Sequence, residues 1–330
     1  MAKKVIAAKK IVCLGGGVGT ANLLSGIKND FKDINVIVSM ADDGGSAGRL
    51  RRFYKIPPTG DMVNCMIALS KADNVTLDLL KFRFPGDRYG ADNILPGQKI
   101  ANLMFAALIL NNKDLPTAIA KMREIFKVNA SIYPSSLSRV SLRAKTSIGR
   151  IVRREENIDL GRFKGKIKQL YIYPKNPKVD EKALVAIKES DIIIAGPGDL
   201  YTTILPVLIV PAILDEIKKS KAKKIFVVNV ANKFFETPGY SVSDFVAAIK
   251  KHCGFQPFDY FLINNNISLS IPEEFKDEYS IAPLSKSKNS VKCVYADLVN
   301  ENFPLYHDPQ KLANTLGKLV YFKPTLRTVK

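Results

Sequence analysis

Glycine stands at two points of this sequence where chemistry calls for a bare backbone. Gly15, Gly16, Gly17 and Gly19, followed by Thr20, come directly after the apolar run 11–14 and directly before a helical stretch. Without a Cβ the chain approaches a phosphate closely, and the free N–H groups and dipole of a helix start supply the attraction. A merely tight strand-to-helix turn is the other reading. Position 20 is Thr where a dinucleotide fingerprint has its third spaced glycine, and no Lys follows as in a P-loop, so neither motif is met. The second point is Gly196-Pro197-Gly198, after the apolar run 192–195, with Tyr201 and Thr202 expected at its lip. Two glycine turns on one edge of a parallel sheet are what a crevice at a topological switch point requires.

Carboxylates and amides supply the remaining polar chemistry. Asp42 and Asp43 end the next β-branched run and are followed by Ser46 and Arg49. Their oxygens suit Mg²⁺ or a substrate hydroxyl, and Arg49 suits a two-toothed contact to phosphate. An acidic turn with Arg49 as its internal counter-ion is the alternative. Asp61 enters a helix after Pro57-Pro58-Thr59-Gly60, where N-capping and a ligand contact shared with Asn64 are both open. Asn102 opens an apolar helix and either caps backbone or reaches a pocket, and Asn229 ends a strand. His252 lies at a helix C-terminus, where a cation suits the dipole. The two histidines and the four dispersed cysteines, which form no C-x-x-C pair, argue against a histidine or thiolate metal site.

The elements that must hold these residues alternate in type. The runs 11–14, 34–40, 192–195 and 225–230 read as buried strands. Helices read at 21–28, 61–71, 99–110, 116–126, 181–188, 211–219, 243–252 and 309–318. The expectation is a Rossmann-like, doubly wound α/β fold with a mostly parallel sheet. Residues 140–144, 150–154 and 167–173 are short alternating segments, read as a small β insertion over about residues 130–175. No repeat or linker divides the chain, so residues 1–330 read as one unit, with a basic tail over residues 1–9.

At 330 residues and 46% hydrophobic the chain can bury a large core. The longest apolar run, 204–214, is 11 residues and carries two prolines, whereas a membrane helix needs roughly 20 unbroken ones. No membrane span and no export signal are expected, and the reading is cytoplasmic. The formal charge of +19 raises nucleic acid as a partner, but the basic runs lack interleaved aromatics, so a solvated basic surface is preferred.

Taken in order, residues 14–19, 41–51, 57–69, 196–206, Asn229 and the closing His307-Asp308-Pro309 resemble the gluconeogenesis factor family. Its relatives include the archaeal 2-phospho-L-lactate transferase. The resemblance implies a nucleotide-binding core that takes UDP-sugars in the bacterial factors or a guanosine diphosphate adduct in the transferase. For the bacterial members it implies a role in cell shape and peptidoglycan supply during gluconeogenic growth. The implied partners are proteins of cell-envelope synthesis, with a homodimer as an open arrangement. For the transferase it implies Mg²⁺-dependent transfer of a phospholactate unit, with Asp42, Asp43 and Asp61 as candidate catalytic carboxylates and Asp42 and Asp43 as candidate metal ligands. Tyr279 matches a tyrosine implicated in the sugar-nucleotide site. Departures from the pattern are Gln98 for a histidine, Ala101 for a glycine, Phe234-Phe235 for Pro-Gly, and Tyr306 for an arginine. A nucleotide-sugar-binding regulator is therefore the leading expectation and a transferase the runner-up, ahead of a dehydrogenase or a nucleic-acid binder.

Overall fold

The computed structural model describes residues 8–89, 95–282 and 291–321, so residues 1–7 of the expected basic tail lie outside the described residues. Its strands are β1 (Lys10–Gly15), β2 (Asp33–Val38), β3 (Ser131–Pro134), β4 (Ser141–Thr146), β5 (Ile151–Arg153), β6 (Ile167–Tyr173), β7 (Ile192–Ala195), β8 (Lys223–Val227), β9 (Ala231–Lys233), β10 (Tyr260–Asn264), β11 (Tyr279–Ile281) and β12 (Lys292–Ala296). Seven of them form a central sheet in the order β12-β10-β8-β7-β1-β2-β3, and every pairing in it is parallel. Such strands are covered on both faces, which is why β1, β7 and β10 are continuous apolar runs rather than alternating ones. The chain moves outward from β1 to β3, returns to β7 beside β1, and proceeds to the other edge. That reversal creates the switch point between β1 and β7.

The helices are α1 (Gly17–Ile27), α2 (Gly45–Tyr54), α3 (Gly60–Leu69), α4 (Asn74–Lys81), α5 (Ile100–Asn112), α6 (Leu115–Ile125), α7 (Glu155–Asp159), α8 (Glu181–Glu189), α9 (Leu205–Leu208), α10 (Pro211–Lys219), α11 (Val242–Cys253) and α12 (Pro309–Tyr321). Helix α1 packs between α3 and α12, and α8 packs on α10. Among the described residues no single helix is long and apolar enough to cross a membrane, and the apolar stretch through α9 and α10 is bent by 70°.

Three expectations are corrected here. Residues 131–134 pair with β2 as an edge of the central sheet, so the insertion is the antiparallel β5-β4-β6 sheet that follows. Residues 45–54, which are not among the expected helices, form α2, with Leu50 fully buried. His252 is a neutral bridge rather than a cation: its Nδ1–H donates to Ala248 O at 2.7 Å and its Nε2 accepts from Leu170 N at 3.0 Å, while burial lowers its pKa.

Candidate functional site

The two glycine turns meet at the switch point. A Cβ on Gly19 would lie 2.7 Å from Pro197 O, so only glycine lets the loops approach this closely. Thr20 fastens them: its hydroxyl donates to Pro197 O at 3.2 Å and accepts from Gly16 N at 3.0 Å. Asn229, from the end of β8, accepts from Gly198 N at 3.1 Å and holds the second turn. Gly196 N is spent on Leu14 O at 3.1 Å, and Gly15 O accepts from Ser39 N at 2.9 Å. Gly16 to Gly19 and Pro197 to Asp199 form one wall of a cleft, with Tyr279, Tyr306 and His307 among the residues completing it. Burial lowers His307 to about 4, and the neutral ring donates from Nε2 to Val228 O at 3.1 Å. Burial also raises the hydroxyl pKa of Tyr279 and Tyr306.

A second cleft begins where the first ends. It is lined by Asp42, Asp61, Asn64, Asn102, Ser46, the cations Arg83, Arg88 and Lys99, and Glu155, Glu156 and Asp159 from α7. Of the two readings open for Asp61, N-capping does not hold, because the N-cap of α3 falls on Thr59. Its carboxyl instead lies against Gly16, leaving no room there for a Cβ, so part of the helix start expected to meet an external anion already faces an internal acid. Burial, then Asp42, pushes Asp61 up to about 8, against the opposing pull of the Gly17 N–H. Burial similarly raises Asp42 to about 6, although Gly44 N donates to its Oδ1 at 3.0 Å.

Asp43 does not share this cleft. Successive side chains in extended backbone point to opposite sides, and Asp43 turns to the insertion, accepting from Glu156 N at 2.9 Å and facing Arg154 Nε at 3.6 Å. The carboxylates brought together are Asp42 and Asp61, which corrects the expected Asp42–Asp43 pair. Arg49 is likewise redirected: it donates to Asp87 O at 2.8 Å and to Pro96 O, holding a loop instead of offering its fork to phosphate. Ser46 accepts from Arg83 at 3.1 Å. Asn64 accepts from Lys99 Nζ at 2.7 Å, and burial lowers Lys99 to about 8. Asn102 is buried and its Oδ1 has no hydrogen-bond partner among the described residues.

Tyr201 and Thr202 do not reach either cleft. The Tyr201 hydroxyl meets Tyr240 at 2.9 Å, its backbone N donates to Glu236 at 2.9 Å, and the Thr202 hydroxyl donates to Glu236 at 2.6 Å. Their expected place at the lip is corrected to a support for Glu236. That support matters because Asp159, Asp199 and Glu236 gather closely enough to hold a metal ion, yet the Lys233 ammonium bonds Asp159 and lies 3.6 Å from Asp199. Burial pulls the Lys233 pKa down, but Asp199 and Asp159 outweigh it and hold it above the ordinary value. Asp159 lines the acid cleft and Asp199 the glycine cleft, so Lys233 is the partition between them. Sequence reasoning missed Lys99, Lys233 and the α7 acids. The only available signal was a run of three acids, Glu155, Glu156 and Asp159, inside an otherwise basic insertion.

A parallel sheet of this order, with clasped glycine turns at its switch point, defines a Rossmann-like α/β protein with its cleft outside the strand carboxyl ends. The chain belongs to the family described as 2-phospho-L-lactate transferase CofD, which matches residues 11–302. It is 35% identical over 320 residues to the gluconeogenesis factor of Bacillus subtilis, covering 94% of this chain and 98% of that one. It is 34% identical over 314 residues to the gluconeogenesis factor of Listeria monocytogenes, covering 93% and 94%. A crystal structure of a UPF0052 family member from Bacillus halodurans superposes with a TM-score of 0.85 at 32% identity, covering 93% of this chain and 98% of that one.

Proposed function

We propose that this chain is a nucleotide-sugar-binding regulatory protein of the gluconeogenesis factor type. A UDP-sugar or other nucleotide diphosphate lies along the glycine cleft, its diphosphate beside Gly17 and Gly19 and its rings against Tyr279 and Tyr306. The protein acts in the cytoplasm on cell shape and peptidoglycan supply during gluconeogenic growth, through protein partners of envelope synthesis. The observation that carries this reading is the clasp of Gly19 on Pro197 beneath an aromatic wall. Gln98 favours regulation over catalysis. Its amide does not titrate, and it is buried with Nε2 donating to Ser46 O at 2.6 Å.

The acid cleft supports a second reading, Mg²⁺-dependent transfer from a nucleotide diphosphate. Asp42, Asp61 and the unpartnered Asn102 Oδ1 are an all-oxygen donor set that fits a hard cation. Bound there, Mg²⁺ would supply neutralisation of diphosphate charge. Arg83, Arg88 and Lys99 would orient an anionic group at the same cleft, and Asp61, pushed up to about 8 without a cation, would release its proton on meeting Mg²⁺.

A melting-temperature screen with UDP-N-acetylglucosamine, GDP with and without Mg²⁺, and NAD separates these readings. A ligand at 100 times its dissociation constant adds about 2.7 kcal/mol. A rise with the UDP-sugar alone supports the regulator, and a rise with GDP that requires Mg²⁺ supports the transferase. A response to NAD alone, or to none of them, refutes both.

A further inference from the structure

The outer face of the insertion takes no part in either cleft. Side chains alternate along its strands, so Leu142, Ala144, Val152, Leu170 and Ile172 are buried while their neighbours face solvent. The strand register sets Arg153, Arg143 and Tyr171 in one row across the sheet and Ser141 with Tyr173 in the next. The Arg143 guanidinium lies 4.2 Å from the centroid of the Tyr173 ring. Tyr171 and Tyr173 are 45% and 56% exposed.

The charge on this face has one sign. Residues 135–179 hold 12 Lys and Arg against three acids, Glu155, Glu156 and Asp159. All three acids line the inner acid cleft, so none neutralises the outer face. The ion pairs of the insertion use Arg154 and Arg162; among the described residues Arg143, Lys145 and Arg153 have no acidic partner.

We infer that this face binds a single-stranded polynucleotide. Bases stack on Tyr171 and Tyr173, and Arg143, Lys145 and Arg153 meet the phosphates between them. An open antiparallel sheet with exposed rings is a stacking platform, and base stacking tolerates any sequence because every base has a π-face. A duplex would satisfy the cations but offer no base faces to the rings. A membrane surface would call for several apolar side chains, and the outward positions of the three strands hold one, Ile151. Along the chain the basic runs lack aromatics; the cross-strand register is what interleaves them.

The test is fluorescence anisotropy of a labelled 12-nucleotide single-stranded RNA, and of the same sequence as DNA, titrated with the full chain over a range of salt. Binding should weaken linearly with log salt, with a slope of about −0.7 per phosphate contacted. The Tyr171→Ala/Tyr173→Ala variant should bind about 10-fold or more weakly, whereas Tyr171→Phe/Tyr173→Phe should retain wild-type affinity. Arg143→Gln/Arg153→Gln should flatten the salt slope by about 1.4, and melting curves should show that each variant is folded. The inference is overturned by no binding at low salt, by equal binding of the alanine variant, by tighter binding of duplex, or by Tyr-dependent binding to phosphatidylglycerol vesicles in place of oligonucleotide.

Discussion

The glycine cleft is built from backbone and rings, whereas the acid cleft beside it is built from ionisable side chains, and Lys233 separates them. The first is held by bonds that no physiological pH change removes: Thr20 to Pro197, Asn229 to Gly198, and a close approach at Gly19. The second concentrates negative charge that burial makes costly, so Asp42 and Asp61 are raised and remain receptive to a proton or a cation. One cleft is preorganised to fit a shape, and the other is poised to respond to charge.

The sharpest way to break this comparison is to remove the partition. Lys233→Met leaves Asp159, Asp199 and Glu236 without their shared cation, and denaturant unfolding should show a loss of about 3–5 kcal/mol. An unchanged midpoint would show that the ammonium does not stabilise the wall. Gly19→Ala forces a Cβ against the Pro197 carbonyl, so it should cost about 1–3 kcal/mol and abolish any melting shift with UDP-N-acetylglucosamine. Retention of both stability and response would mean that the clasp is looser than described.

Tyr306→Ala removes one ring from the glycine cleft and leaves the acid cleft untouched. UDP-sugar affinity by calorimetry should fall about 10-fold, in line with about 1–3 kcal/mol for an aromatic stacking partner. Full affinity would place the nucleotide elsewhere.

The smallest effect concerns the pH dependence of the metal-free protein. Asp61 is raised in the folded state, so its contribution to stability is full below the ordinary carboxylate range and is lost as pH climbs toward about 8. The wild-type melting temperature should therefore decline from about pH 4 to 8 in this respect, and Asp61→Asn should flatten that decline. An identical slope in the variant would show that Asp61 ionises without strain.

Much of the fold was legible in the sequence because it is local. The helix read at 211–219 is α10 as observed, and the helix read at 309–318 starts at the same Pro309. Each has an apolar stripe at helical spacing and an early proline. Helix α2 was missed because its opening Gly45-Ser46-Ala47-Gly48 carries turn chemistry. In the fold Arg51 ties it back to the Ala41 and Asp42 carbonyls at 3.2 and 2.6 Å, bonds that no propensity anticipates. Residues 131–134 fall within the expected bounds of the insertion, and only the partner β2, almost a hundred residues earlier, reveals that they are a strand of the central sheet.

By itself the sequence determined where the backbone is bare, which runs are buried, and hence that two glycine turns lie on one edge of a parallel sheet; that their strands are neighbours is a fact of the tertiary structure. The tertiary structure alone decided that Asp61 rather than Asp43 accompanies Asp42, that Arg49 holds a loop, that Lys233 fills an acidic ring, and that Tyr171 lies across from Arg143. The physical reason is range. Propensity, turns and periodicity act within a few residues, but a side chain's partner is set by which distant strands and helices the core brings together.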